Sequence, residues 1–183
     1  MNPLRVCFRG KCYKFNSFTG WLTSRHTDDV LDTVSAIRCQ SKKGNDILRY
    51  VINPYLTRNT TKFYGVNHIP FRVRFYALTL IWLHRHFFPG IYLFSKCRFA
   101  IFDNAAIATD AFCKIHPENQ RVLCLPRSVF AATTSKRFPE NGALFIGAFL
   151  PSHHMHAWII EDGTNAYRYD TIWTNYTPVS IMV

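Results

Sequence analysis

Cys124, His156 and Asp170 stand along the chain in the order nucleophile, base and orienting acid. A thiolate attacks a carbonyl carbon, an imidazole moves the proton, and a carboxylate fixes the tautomer and angle of the imidazole. The pattern over residues 124–137 is helical, with Pro126 in the first turn, where its missing N–H is no loss. The N-terminus of a helix favours negative charge and lowers a thiol's pKa, and Arg127 adds positive field beside Cys124. His156 and Asp170 fall in two successive strand-like runs, residues 156–161 and 165–173, so antiparallel pairing is expected to set them side by side. The order by itself discriminates little. The chain has 6 Cys and 8 His, and a buried Cys is ordinarily an inert small hydrophobe.

The elements that must hold these residues are legible as patterns. A third strand-like run covers residues 143–150, with turns at Pro151-Ser152 and Asp162-Gly163. A helix followed by an antiparallel sheet is an α+β pattern. Upstream, residues 70–109 are helical in pattern, interrupted at Pro89-Gly90. Phe75, Leu78, Trp82 and His86 share one face there, which is expected to pack on the C-terminal part of the chain. Residues 4–8 and 11–15 read as strands around the turn Arg9-Gly10, and another turn precedes Trp21-Leu22. Thr27 is a candidate N-cap for a helix with Val30, Leu31, Val34 and Ile37 on its apolar face. A further short helix is expected over residues 45–54.

Three segments carry a resemblance to a known family. They are Cys124-Leu125-Pro126-Arg127-Ser128, then Leu144-Phe145-Ile146-Gly147-Ala148, then His156-Ala157-Trp158-Ile159-Ile160-Glu161-Asp162-Gly163. Together they resemble the leader peptidases of lasso-peptide biosynthesis, the B proteins of microcin J-type clusters in the transglutaminase-like superfamily. The resemblance covers roughly residues 110–183. It implies a transglutaminase-like, papain-like cysteine peptidase domain with Cys124 and His156 catalytic. Asp170 matches the third member, although the interval from His156 is slightly longer than the family's, and Asp162 remains a rival. The implied activity is removal of the leader from a ribosomally made precursor, after which a separate asparagine-synthetase-like, ATP-using cyclase closes the ring. The resemblance also implies a small winged-helix-like leader-recognition element. Residues 1–60 are its expected place, residues 61–109 a helical connector, and residues 110–183 the peptidase domain.

Other residues extend or limit that reading. Trp158, two residues after His156, shares its strand face and is either a wall of the site or ordinary core. Gln120 or Asn119 could supply an oxyanion donor beside the Cys124 N–H, or be plain loop residues. His153, His154 and His156 cluster, as do His84 and His86, but no Cys or acid stands at helpful spacing, so no metal and no cofactor is expected. Residues 1–100 hold 16 Lys/Arg against 4 acids, a net of +12, while residues 101–183 hold 6 against 7. A basic half suits an anionic partner, and Arg5, Arg9, Lys11 and Lys14 are candidates for attraction to an acidic leader. A nucleic-acid- or peptide-binding protein without proteolysis is the alternative on that charge, though no helix-turn-helix, RRM or zinc-finger pattern supports nucleic acid. A triad-based acyl or amide transferase is a third reading. The start of the chain lacks a signal-peptide pattern, no Cys pair has C-x-x-C spacing, and no apolar run spans a bilayer, so a cytoplasmic protein with reduced thiols is expected.

Overall fold

A computed structural model describes residues 3–8, 11–15, 22–26, 58–59, 64–118, 122–149, 154–170 and 173–182. The expected helices over residues 27–37 and 45–54 lie outside the described residues. The described part is α+β. The helices are α1 (Phe71–His86), α2 (Phe88–Phe94), α3 (Ala105–Ile115), α4 (Cys124–Thr134) and the single turn α5 (Phe138–Asn141). The strands are β1 (Pro3–Phe8), β2 (Lys11–Phe15), β3 (Leu22–His26), β4 (Arg58–Asn59), β5 (Gly142–Phe149), β6 (His154–Glu161), β7 (Thr164–Asn165) and β8 (Thr177–Met182). They form one sheet in the order β3-β2-β1-β8-β5-β6-β7-β4. All neighbours run antiparallel except β4 and β7.

The centre of the core is α4, buried without interruption from Pro126 to Thr134. Pro126 is its third residue, and the first N–H groups of a helix have no partner within it. The helix was expected to reach residue 137 and stops at Thr134. Ser135 turns to extended backbone. Its hydroxyl donates to Glu161 Oε1 at 2.6 Å and accepts from Phe138 N at 3.3 Å. That side chain replaces the bonds another helical turn would have made. On one side α4 packs on α1, where the Tyr76 hydroxyl and Thr133 Oγ1 lie 3.0 Å apart, and on α3. On the other it meets β5 and β6 through Leu144, Ile146, Ala157 and Ile159.

The helical stretch of residues 70–109 divides differently from expectation. The break after α1 falls at Phe87, and Pro89 sits in the first turn of α2, where it is tolerated. Residues 95–104 are not helical. Phe99 and Ile101 donate their N–H groups to the carbonyls of Thr133 and Thr134 at 2.9 and 2.7 Å. A new helix starts where Asn104 Oδ1 accepts the Ile107 N–H at 2.9 Å. The packing face of α1 is also the reverse of the expected one. Val73, Tyr76, Ala77, Leu80, Ile81 and Leu83 are buried, while Phe75, Leu78, Trp82 and His86 face outward.

The strand expected over residues 165–173 is not formed. β7 ends at Asn165, whose Oδ1 accepts the Tyr167 N–H at 3.0 Å, a side-chain turn that removes the backbone from the ladder. The Asp170 N–H then closes on the Tyr167 carbonyl at 3.0 Å. Asp170 therefore stands in a turn, followed by a 3-10 turn at Trp173–Asn175. β8 went unrecognised in the sequence. It contains Pro178, which cannot donate to a ladder, and the register with β5 shifts at this point: Ile146 pairs Ser180 and Gly147 pairs Pro178. A bulge is where a sheet accepts proline. Among the described residues no helix is long and apolar enough to cross a membrane.

Candidate active site

Because β7 is two residues long, it leaves the edge of β6 uncovered beyond Ile159. Glu161 and Ile160 pair with β7, and the Ile159 carbonyl accepts from Ala166 N at 3.0 Å. The next outward backbone group is Ala157, and α4 takes the place of a neighbouring strand there. The Ser128 hydroxyl donates to the Ala157 carbonyl at 3.2 Å, and the Ala157 N–H donates to the Cys124 sulfur. Cys124 and Ser128 are one helical turn apart, so the start of α4 is bonded to the strand edge at two points. The nucleophile candidate is thereby set against the strand that carries His156.

Next to Ala157, the His156 ring is buried, and its Nε2 lies 2.8 Å from Asp170 Oδ2, whose side chain is 1% exposed. The ring is also hydrogen-bonded to Cys124. With Nε2 held by Asp170, Nδ1 is the nitrogen left for the sulfur. Opposite His156 on β5 stands Gly147. A Cβ at that position would come within 2.7 Å of the Trp158 ring and 2.9 Å of Tyr176 Cβ. The glycine thus makes room for an aromatic layer. Trp158 lies nearly parallel to His156 at 5.9 Å between centroids and stacks on Phe145 at 5.5 Å, and Tyr176 approaches His156 at 5.0 Å. Trp158 is buried and packs between His156 and Phe145.

The electrostatics divide the thiols. Burial opposes ionisation of Cys124, but the hydrogen bond and charge of His156, the Ala157 N–H and the Arg127 guanidinium outweigh it, so its pKa lies below the ordinary thiol value. Burial likewise opposes the imidazolium of His156, yet hydrogen bonds and charge from Asp170 and Cys124 raise it to about 9. The favoured state is a thiolate–imidazolium pair. Cys113 behaves oppositely: burial pushes it up to about 11, and it stays a thiol. Arg127 is itself buried, its guanidinium 3.5 Å from the centroid of the Tyr167 ring.

No protein-family model, curated protein or solved structure matches the chain.

The structure brings Cys124, His156, Asp170 and Trp158 together. It sets the rival Asp162 elsewhere. Asp162 and Gly163 form the tight turn after β6, with φ of 50° and 71°. The Asp162 carboxylate is exposed and lies 3.7 Å from Arg137 Nη1. Gln120, Asn119, His153 and Arg9 lie outside the described residues. Arg5 stands on β1, Lys11 and Lys14 on β2. Among the described residues no three Cys, His, Asp or Glu side chains gather as metal ligands.

Two contributors were missed in the sequence. Ser128 ties α4 to β6, and its spacing of four from Cys124 was the available signal. In the sequence Glu161 stands only as the end of a strand-like run. It is buried, accepts from Ala105 N at 2.7 Å and from Ser135 Oγ, and so locks the start of α3 and the end of α4 to β6. A cleft of about 590 Å³ opens beside the Asp170 turn, lined by Tyr64, Gly65, Asp110, Lys114, Tyr167 and Tyr169 among others.

Proposed function

We propose that this chain is a transglutaminase-like cysteine peptidase that removes the leader from a lasso-peptide precursor, acting in the cytoplasm before a partner ATP-dependent cyclase closes the ring. The observation that carries the chemistry is the buried 2.8 Å bond from His156 to Asp170, with Cys124 bonded to the same ring at the start of a helix. The choice of substrate rests on the resemblance of residues 110–183.

In this reading the Cys124 thiolate attacks the scissile carbonyl carbon. The oxyanion forms against the free N–H groups at the start of α4, where the helix dipole favours negative charge. The C–N bond breaks as imidazolium His156 gives its proton to the leaving amine, leaving an acyl thioester on Cys124. His156, now neutral, takes a proton from water, hydroxide attacks the thioester, and the thiolate leaves. Asp170 holds the ring angle and stabilises its positive form throughout.

The test is mass spectrometry of precursor peptide incubated with the chain, with and without the cyclase. Native protein should release intact leader, and Cys124→Ala should release none. Leader release that survives in Cys124→Ala would sink the assignment. A transferase with the same triad would pass the acyl group to an added amine and yield an amide, which the same spectra distinguish from the free acid.

A further inference from the structure

One face of α1 is not accounted for by the core or by the Cys124 site. Phe71, Phe75, Leu78 and Trp82 are 80, 65, 50 and 57% exposed. They recur at intervals of four, three and four residues, which aligns them along one line of the helix. That line is opposite the buried row of Val73, Ala77 and Leu80. From Phe71 to Trp82 it runs about 16 Å. Isolated exposed apolar residues are ordinary, but a contiguous row of large apolar side chains on the outside of a helix is not.

The charges beside the row indicate what it meets. At 100° per residue, Arg74 and Arg85 flank it on one side and Arg72 on the other, and all three are exposed. The His86 ring lies 5.5 Å from Trp82. Neither α1 nor any other part of residues 51–100 contains an Asp or Glu. A second copy would set arginine rows against arginine rows. An anionic bilayer accepts both features at once: the rings enter the boundary between headgroups and acyl chains, and the arginines meet the headgroup charge. We propose that α1 lies in the plane of an anionic lipid surface and docks the protein there, with Phe71, Phe75, Leu78 and Trp82 inserted. This surface is independent of the proposed chemistry of Cys124, so Cys124→Ala should dock as native protein does.

The experiment is co-sedimentation of the full chain with vesicles of phosphatidylcholine alone, or with about one third phosphatidylserine. Native protein should bind only the anionic vesicles, less well as salt rises. Phe75→Ser/Trp82→Ser should weaken binding by about tenfold or more. Arg72→Gln, Arg74→Gln and Arg85→Gln should each cost about fivefold, the equivalent of about 1 kcal/mol per charge. All these side chains are exposed, so circular dichroism of the variants should match native protein. Brominated acyl chains should quench part of the tryptophan emission, and Trp82→Phe should bind yet lose that part. The proposal is overturned if native protein ignores anionic vesicles. It is also overturned if Phe75→Ser/Trp82→Ser binds as native protein does, which would mean adsorption by charge alone. A native dimer dispersed by Trp82→Ser would assign the row to a second copy. Shielding of Trp82 from acrylamide without lipid would mean the chain already covers it.

Discussion

Replacing Asp170 by Asn isolates its negative charge from its shape. His156 titrates at about 9 instead of 6.5, and at ~1.4 kcal/mol per pH unit this is a preference of about 3 kcal/mol for the imidazolium. His156 is almost wholly buried, so water does little to screen it. Burial opposes that preference, and of the two groups that produce it Asp170 leads and Cys124 is the other. Asp170→Asn should therefore forfeit much, not all, of that preference. Near neutral pH the thiolate population should fall, because the imidazolium that stabilises it is less populated. Iodoacetamide alkylation of Cys124, followed by mass spectrometry from about pH 5 to about pH 10, needs no peptide substrate. Native Cys124 should react below the ordinary thiol range, and in Asp170→Asn the midpoint should move up. Stability should track the same linkage. The imidazolium's pKa is raised on folding, so its contribution is complete below 6.5 and is lost as pH rises through about 9. The melting gap between native protein and Asp170→Asn should be widest below pH 6.5 and narrow toward 9. The reasoning is refuted if native Cys124 alkylates with an ordinary thiol midpoint, or if Asp162→Asn shifts the profile as much as Asp170→Asn.

Cys124→Ala should cut peptide cleavage by on the order of 10³-fold or more, because members of such a set act as a unit. Cys113→Ser should spare the chemistry, since Cys113 remains a thiol; steady-state kinetics decides both. Gly147→Val should drive its side chain into Trp158 and Tyr176, destabilising the fold by roughly 1–3 kcal/mol in urea melts and moving His156 off its line to Cys124. Glu161→Gln turns an amide N–H₂ toward one of two donors, Ala105 N or Ser135 Oγ. It should cost about 1–3 kcal/mol in the same melts while leaving the pH profile of alkylation unchanged.

The site was more legible in the sequence than the elements that build it. Cys124 at a helix start and His156 on a strand are dictated by periodicity and a tolerated Pro126, and both are where the pattern puts them. Asp170 reaches His156 by another route, because Asn165 and Tyr167 turn the chain out of the sheet by a side-chain hydrogen bond. Alternation of apolar residues cannot reveal such a bond. β8 was hidden because Pro178 breaks the strand pattern, and only the bulge opposite Gly147 accommodates it. The face of α1 was inverted because the helix is apolar on both sides. Periodicity fits Phe75, Leu78 and Trp82 as well as Val73, Tyr76 and Leu80, and the row flanked by arginine on both sides is the outer one.

The position of Ala157 connects these features. Its N–H and C=O lie on the edge of β6 that a longer β7 would have covered. The early turn at Asn165 leaves them free for Cys124 and Ser128, and the same turn sends the chain on toward Asp170. One local event thus serves both partners of His156. A short β7 gives α4 its docking edge, and the turns that shorten it carry the carboxylate to Nε2. Lengthening β7 by replacing Asn165 with a strand former such as Val removes the acceptor for Tyr167 N–H and favours continued pairing. Asn165→Val should therefore loosen Cys124 and Asp170 from His156 together. The alkylation midpoint would rise further than in Asp170→Asn, which leaves the contact between α4 and β6 intact. A smaller rise than in Asp170→Asn would mean that α4 is held to β6 by its apolar packing alone.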